Sequence, residues 1–252
     1  MKLVQLNIWQ GRLLRQAIDL LEDEQPDIIC LQEVHSCEQD TSPLFEFFEF
    51  LQSLEAIQAK FPGYHTFFAP TYDMTILGSK ILYGNAVLSR YPIVNQDTFF
   101  ISGEYRSYQT LEDFELNTRS LQRAIIQLDD GRSLCLLNHH GYWASNPLGS
   151  ETTVGKMQAV ADIIASSPSP LIFAGDLNIT PDSPAMQPVH KLLRNLTQEN
   201  RVATTLSPIR KLPDVACDHI CISEGIDVQN FVVSERVVSD HKALILEFSL
   251  TA

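Results

Sequence analysis

The order of hydrophobic and polar positions along the chain predicts more strands than helices. Lys2–Trp9 (KLVQLNIW) is a nearly unbroken apolar run and reads as an opening buried strand. After Gly11, residues Leu13, Leu14, Ala17, Ile18 and Leu21 fall on one stripe at helical spacing, and Pro26 closes that region. DIICLQEV is the next strand. Pro43–Lys60, containing FEFFEFLQSL, reads as a helix whose wide apolar face suits burial on a sheet better than a membrane. Strands follow at Tyr64–Ala69, Tyr83–Ser89 and Ile93–Ile101, then a polar loop over Ser102–Asn117. Arg119–Leu128 and Ser133–Asn138 flank the turn Asp129-Asp130-Gly131 and form a hairpin. Thr152–Ala165 is an amphipathic helix, PLIFAGDLN a strand, and Ala185–Leu193 a further helix. DHICIS, IDVQNFVVSE and KALILEF close the chain as three strands. Helices fall between some strands and not others, which points to an α+β sandwich rather than a regular parallel barrel.

Composition narrows the class. The 252 residues are 44% apolar, enough for a substantial core, and no repeat, low-complexity tract or Gly/Ser linker divides them. Residues 1–252 therefore read as a single domain. The formal net charge is −13, a poor match to a general coat for nucleic acid or anionic lipid. The N-terminal segment lacks the long apolar core of a signal peptide, and no apolar run approaches the roughly 18 residues a membrane span needs. The expected location is cytoplasmic. Five cysteines, an odd number without a CxxC, suit buried free thiols; Cys217 and Cys221 flank Asp218-His219, but no second pair completes a zinc site.

One event recurs. Apolar strands run out into metal-ligand or phosphate-binding residue types: Asn7, Gln32-Glu33, Asn138-His139-His140, then Asp176 and Asn178. Asp218 begins one strand, and Ser239-Asp240-His241 precede the last. A strand end can project a carboxylate into a shared cleft, whereas a strand interior cannot hold one cheaply. Any one of these is an ordinary cap or turn residue; six together are hard to explain that way. Glu33, Asp176, Asp218 and Asp240 in one cleft would repel strongly, and a hard divalent cation such as Mg²⁺ or Mn²⁺ resolves this. Metal-assisted hydrolysis of a phosphate ester is the chemistry that fits.

LNIW, LQEV, YGNAVLSRYPI, LNHH, GDLN, the Asp of CDHI, and SDH stand in the order and rough spacing of the endonuclease/exonuclease/phosphatase superfamily, which the chain resembles from Asn7 to His241. The resemblance implies a four-layered α/β/β/α sandwich of the deoxyribonuclease I-like type. It implies Glu33 as principal metal ligand, assisted by Asn7, with Asp240 close to the metal. Asp176 would orient or deprotonate the attacking water, and Asn178 would help hold it. His241 would contact the phosphate. Asp218 would orient an imidazole, either His241 or His140. The family's Asn-Thr-His triplet reads Asn138-His139-His140 here, which aligns His140 with the phosphate-binding histidine and puts His139 in the threonine place. Asn85 and Arg123 are further candidates for substrate contact, each with a bland alternative in a turn or on the surface.

Substrate must come from the variable loops. Residues 16–59 hold no Lys or Arg and 11 Asp or Glu, a poor DNA surface. Met186–Leu212 carries Lys191, Arg194, Arg201, Arg210 and Lys211 against Glu199 and is a candidate contact for a nucleic-acid backbone. Tyr142 and Trp143 follow His140 and either stack on a substrate group or pack beneath a loop. A divalent-metal-dependent phosphodiesterase is the leading expectation, with a DNA or RNA nuclease of the same fold as alternative. Two other readings are a catalytically inactive binding module and a zinc hydrolase using His139, His140 and His219.

Overall fold

A computed structural model describes residues 1–37, 49–76, 78–109, 117–211 and 213–251. The elements in chain order are β1 (Lys2–Asn7), α1 (Leu14–Glu24), β2 (Ile28–Ser36), α2 (Ser53–Lys60), β3 (His65–Ile76), β4 (Ser79–Ser89), β5 (Ile93–Ser102), β6 (Arg106–Tyr108), β7 (Arg119–Gln127), β8 (Ser133–His140), α3 (Glu151–Ala165), β9 (Leu171–Asp176), α4 (Gln187–His190), β10 (Arg194–Asn195), α5 (Leu196–Glu199), β11 (Asp218–Ile222), β12 (Ile226–Val233) and β13 (Leu244–Leu250). The strands form two mixed sheets, ordered β12-β13-β1-β2-β4-β3-β6 and β10-β11-β9-β8-β7-β5.

The apolar residues sort into three stacked layers of side chains. Leu3, Cys30, Phe67 and Val87 of the first sheet meet Ala124, Leu136, Ile172 and Ile220 of the second in a central core. Leu14, Ala17, Ile18 and Leu21 of α1 with Ile57 of α2 cover the outer face of the first sheet. Met157, Val160 and Ile164 of α3 cover the outer face of the second. The result is the α/β/β/α sandwich. Because both faces of the central strands are covered, β1 and β9 are buried along nearly their whole length, which is why KLVQLN and LIFAGD lack strand alternation.

Local signals set the element ends. Gln25 stops α1 in a left-handed conformation just before Pro26. A capping box between Ser150 and Thr153 starts α3.

Several boundaries differ from the sequence expectation. Of the helix expected over Pro43–Lys60, residues 43–48 lie outside the described residues; the rest is a 3₁₀ turn at Glu49–Gln52 leading into α2. Of the expected loop Ser102–Asn117, residues 110–116 lie outside the described residues, and the rest contains β6, which pairs in parallel with β3. The helix expected over Ala185–Leu193 is split into a 3₁₀ turn and the four-residue α4, because Pro188 cannot donate a backbone bond to the preceding turn. β8 runs two residues further than expected, to His140, so the strand itself carries both histidines.

One polar chain crosses the central layer. Gln5 Nε2 donates to Asp218 Oδ1 at 3.1 Å and to Gln32 Oε1 at 2.8 Å. Gln32 Nε2 donates to Asn138 Oδ1 at 2.7 Å, Asn138 Nδ2 to Gln122 Oε1 at 2.8 Å, and Gln122 Nε2 to the Phe67 carbonyl at 2.8 Å. These side chains are fully buried, and each bond strengthens in the low-dielectric interior, so the chain locks the two sheets in register beside the site.

Candidate active site

Sheet register builds one wall. His140 of β8 pairs with Asp176 of β9, and Asp176 pairs with Asp218 of β11, so the three side chains form a row across three strands. His139, Gly175 and His219 form the next row, on the opposite face of the same strands. Gly175 is required there: a Cβ on it would lie 1.9 Å from the His139 carbonyl oxygen.

The other wall comes from the first sheet. The β2–β4 register shifts between Leu31 and Val34, so Gln32 and Glu33 bulge opposite Asn85, and Glu33 adopts φ 58°. A non-glycine residue in that region is strained, and the bulge aims the carboxylate off the strand line. Asn7, at the end of β1, then ties the walls together. Its Nδ2 donates to Asp176 Oδ2 at 3.0 Å and to Glu33 Oε1 at 3.2 Å.

Both imidazole Nε2 atoms, of His140 and of His241, lie 3.7 Å from Asp176 Oδ2. The Asn178 backbone N–H donates to Asp176 Oδ1 at 3.0 Å, and Asn178 Nδ2 donates to the Gly141 carbonyl. His241 Nδ1 donates to Asp218 Oδ2 at 2.8 Å, which identifies His241 rather than His140 as the imidazole Asp218 orients. Thr205 Oγ1 donates to the same oxygen at 2.6 Å. Asp240 Oδ2 accepts from Arg210 Nη1 at 2.9 Å, and that guanidinium nitrogen also lies 3.3 Å from His241 Nε2.

The electrostatics follow from burial and these neighbours. Burial pushes Asp176 up to about 6, against the charge of His241. Burial likewise raises Glu33 above the usual carboxylate range. His140 is held well below the ordinary histidine value by burial and then by the charge of Arg119, so it is neutral. Burial opposes a charge on His241 as well, but Asp218 and Asp176 overcome it and hold His241 well above the ordinary value.

Four carboxylates, Glu33, Asp176, Asp218 and Asp240, are thus gathered around few cations. Asp218 has both oxygens filled by Gln5, Thr205 and His241. Glu33 is the under-compensated member, and Asp240 acts on it electrostatically. An oxygen set of this kind fits a hard divalent cation at Glu33 and Asp240, with Asn7 holding Glu33. Asp176, Cys217, Asp218 and His241 also offer atoms within 4.8 Å of one another. Within that group the contacts are hydrogen bonds centred on Asp218 Oδ2, which accepts from His241 Nδ1 and Thr205 Oγ1 and lies 3.6 Å from Cys217 Sγ.

Other expected residues lie elsewhere. His139 turns away from the site: its Nδ1 donates to the Ser120 carbonyl at 2.8 Å and its ring stacks with Phe173. His219 donates from Nε2 to the Ile179 carbonyl and accepts at Nδ1 from Asn195, so both nitrogens are filled. No zinc trio forms from His139, His140 and His219, and Cys221 sits in the outer core layer away from Cys217. Arg123 is also displaced. It pairs with Asp97 at 2.9 Å and lies over the Phe99 ring on the outer face of β7. Asn85 is buried against the bulge, donating to the Ser120 carbonyl at 3.3 Å. Tyr142 is half-buried; Trp143 is exposed, with its backbone clamped by Asn117. Of the five basic residues of Met186–Leu212, Arg210 alone contacts the site among the described residues. Lys191, Arg194, Arg201 and Lys211 are exposed, Arg194 paired with Glu199.

Arg119 is the residue the sequence reading missed. It is buried, its Nε donates to the Gly141 carbonyl at 2.8 Å, and its charge acts on both Glu33 and His140. An arginine opening a strand directly after a polar loop was its only signal.

The geometry agrees with comparisons to known proteins. The family model described as the endonuclease/exonuclease/phosphatase family matches residues 4–241. No curated protein sequence matches the chain. A solved endonuclease/exonuclease/phosphatase from Beutenbergia cavernae superposes with a TM-score of 0.74 at 19% identity, covering 99% of this chain and 71% of that one. A mannosyl-6-phosphatase from Bacteroides thetaiotaomicron gives 0.73 at 15% identity, covering 99% of this chain and 100% of that one. The catalytic domain of human Nocturnin gives 0.64 at 18% identity, covering 100% and 93%. At these identities the structures speak for the fold, and the family model spans nearly all of the residues that build the site: the chain belongs to the endonuclease/exonuclease/phosphatase family of hydrolases.

Proposed function

We propose that this chain hydrolyses phosphate esters as a phosphodiesterase, with a Mg²⁺ or Mn²⁺ ion held by Glu33 and Asp240. The observation that carries this reading is the position of Asp176 Oδ2, 3.7 Å from two imidazole nitrogens and held by Asn7. When bound, the ion supplies charge neutralisation for the phosphate. Asp176 orients the attacking water and takes its proton; burial makes it more basic than an ordinary carboxylate, yet it is still mainly ionised near pH 7. His241, kept cationic by Asp218, binds a non-bridging phosphate oxygen, and neutral His140 donates to another. Asn178 holds Asp176 in place through its backbone. Buried Arg119 adds positive charge on the Glu33 side. The five cysteines are free and buried, which suits a reducing cytoplasm. No helix among the described residues is long and apolar enough to cross a membrane.

The test is turnover of bis-p-nitrophenyl phosphate and p-nitrophenyl phosphate in EDTA and in added Mg²⁺ or Mn²⁺. Metal-dependent cleavage, with the diester preferred and activity lost in Glu33→Gln and Asp176→Asn, is the expected result. Turnover unchanged in Glu33→Gln would refute the assignment, and folded protein inactive on every ester would favour a binding module. Labelled single- and double-stranded DNA in the same assay separates a nuclease from a small-ester hydrolase.

A further inference from the structure

A cavity of about 230 Å³ lies beside the catalytic cleft, lined by Gln10, His35, Tyr72, Met74, Ile81 and Tyr83 among others. Its position follows from register. Tyr83 and Asn85 lie on the same face of β4, two residues apart, and Asn85 reaches the facing sheet at Ser120. Tyr83 pairs with His35 of β2 on one side and with Tyr72 of β3 on the other, so the three rings form a cross-strand row one step from the site. After burial itself, the charge of Glu33 is the strongest influence raising both tyrosine hydroxyls. The cavity thus adjoins the Glu33 side of the cleft.

Its chemistry is specific. The Tyr72 and Tyr83 rings are stacked, with centroids 4.6 Å apart and planes 17° apart, and His35 stands edge-on to Tyr83 at 5.4 Å. Met74 adds a polarisable sulfur, which favours aromatic partners. The named lining carries no charged side chain. His35 is buried; its imidazole interacts with the backbone of Phe50 and Gln10, and its Nδ1 meets no partner at close hydrogen-bond geometry among the described residues. Gln10 is presented by a turn in which both Trp9 (φ 51°) and Gln10 (φ 55°) adopt left-handed backbone, a strain found where a side chain must be aimed. An aliphatic chain would meet only the apolar walls, whereas a flat ring with a polar edge would meet both the aromatic walls and the polar atoms of His35 and Gln10.

We infer that this cavity is a subsite for an uncharged planar ring carried by the phosphate ester, with Tyr72, Tyr83 and Met74 forming its apolar walls and His35 and Gln10 reading its polar edge. The inference rests on the proposed phosphate-ester site. The ring has two possible sources, a nucleotide base or a simple aryl ester.

Binding of ring-bearing and ringless probes tests it without turnover. Calorimetry on the full chain with Mg²⁺ compares phenylphosphonate with methylphosphonate, and adenosine monophosphate with ribose 5-phosphate. At least one ring-bearing probe is expected to bind about tenfold tighter than its ringless partner, and the pair that shows it identifies the source. Met74→Trp, which fills the cavity, should bring that ratio to about one while leaving the ringless probe unchanged; Ile76, which also lines the cavity, gives Ile76→Trp as the second variant if Met74→Trp melts early. The inference is overturned if neither ring confers tighter binding on the wild type, or if the preference survives in a folded, cavity-filled variant. A ring preference in a protein inactive on every ester would keep the subsite and discard the hydrolase reading. Metal-dependent turnover without ring preference would do the reverse.

Discussion

Asp218 Oδ2 sits 2.8 Å from His241 Nδ1, and the same carboxylate is fixed from behind by Thr205 and Gln5. The bond sets which nitrogen of His241 points toward Asp176 and stabilises the imidazolium. In Asp218→Asn the amide keeps the volume but loses the charge, and its NH₂ can face Nδ1 and reverse the tautomer. Turnover of a phosphodiester should fall by about 10²–10⁴-fold, with little change in KM. Steady-state kinetics with a folding control check it; turnover within twofold of wild type would remove His241 from the reaction.

Arg210 reaches the site from a loop rather than from a sheet. The Leu206–His241 bridge and the Ser207 N–H to Asp240 carbonyl bond lay this loop along the Asp240-His241 segment, which brings the guanidinium onto Asp240. Its side chain is partly exposed, so it carries little of the fold's stability. Arg210→Ala should raise KM for a phosphodiester about tenfold and shift Tm by under about 2 °C. Arg210→Lys should recover only part, since the shorter, strongly hydrated ammonium does not reproduce the reach and planar geometry that bring Nη1 onto Asp240. An unchanged KM in Arg210→Ala would restrict Arg210 to a loop-anchoring role.

The contrast between Arg119 and Arg123 shows how far the sequence could be read. Both stand on β7, four residues apart. The strand was legible, and Arg123 on it reads as either a cleft contact or a surface residue. What was not legible is that the two share a strand face but differ in place along it: mid-strand Arg123 lies over Phe99, while Arg119 at the strand's end bonds to Gly141 beside His140. In a sheet covered on both faces, alternation does not reveal which face borders the cleft. The same ambiguity separated His139 from His140, and only the register with Asp176 resolves it. Carboxylates at strand ends were easier, because an apolar run ending in a metal-ligand type is visible without knowing the face. The bulge at Glu33 and the glutamine–asparagine chain through Gln5, Gln32, Asn138 and Gln122 depend on partners far apart in sequence, and local pattern carries no trace of them.

Buried neutral histidines should make the fold acid-sensitive. Burial depresses both His139 and His219 to about 4. Above pH 6.5 both states are neutral, and the stabilising contribution is complete. As pH falls below 6.5 the unfolded chain takes up the protons first, so stability declines until the folded-state value near 4 is passed. At pH 5 the loss is about 2 kcal/mol per imidazole. Urea unfolding from pH 7.5 to 5 measures the slope, and His219→Gln should flatten it. Equal slopes in the two proteins would mean that His219 is not held neutral by the fold.

Two glycines separate backbone necessity from backbone liberty. Gly175 lies where β9 passes β8, and a methyl group there would sit 1.9 Å from the His139 carbonyl oxygen and 3.1 Å from the His139 backbone nitrogen. Neither contact can relax without moving β8 away from β9, which would break the His140–Asp176–Asp218 row. Gly175→Ala should therefore cost more than about 4 kcal/mol or leave the protein insoluble. Gly155 lies in α3, is exposed, and has nothing within 4 Å of the point where a methyl group would stand. Gly155→Ala should stabilise by about 0.5–1 kcal/mol, as alanine limits the unfolded chain and suits a helix. Denaturant midpoints of the two variants and wild type decide it. If Gly175→Ala unfolds at the wild-type midpoint, the close β8–β9 approach that sets the geometry of Asp176 is not required.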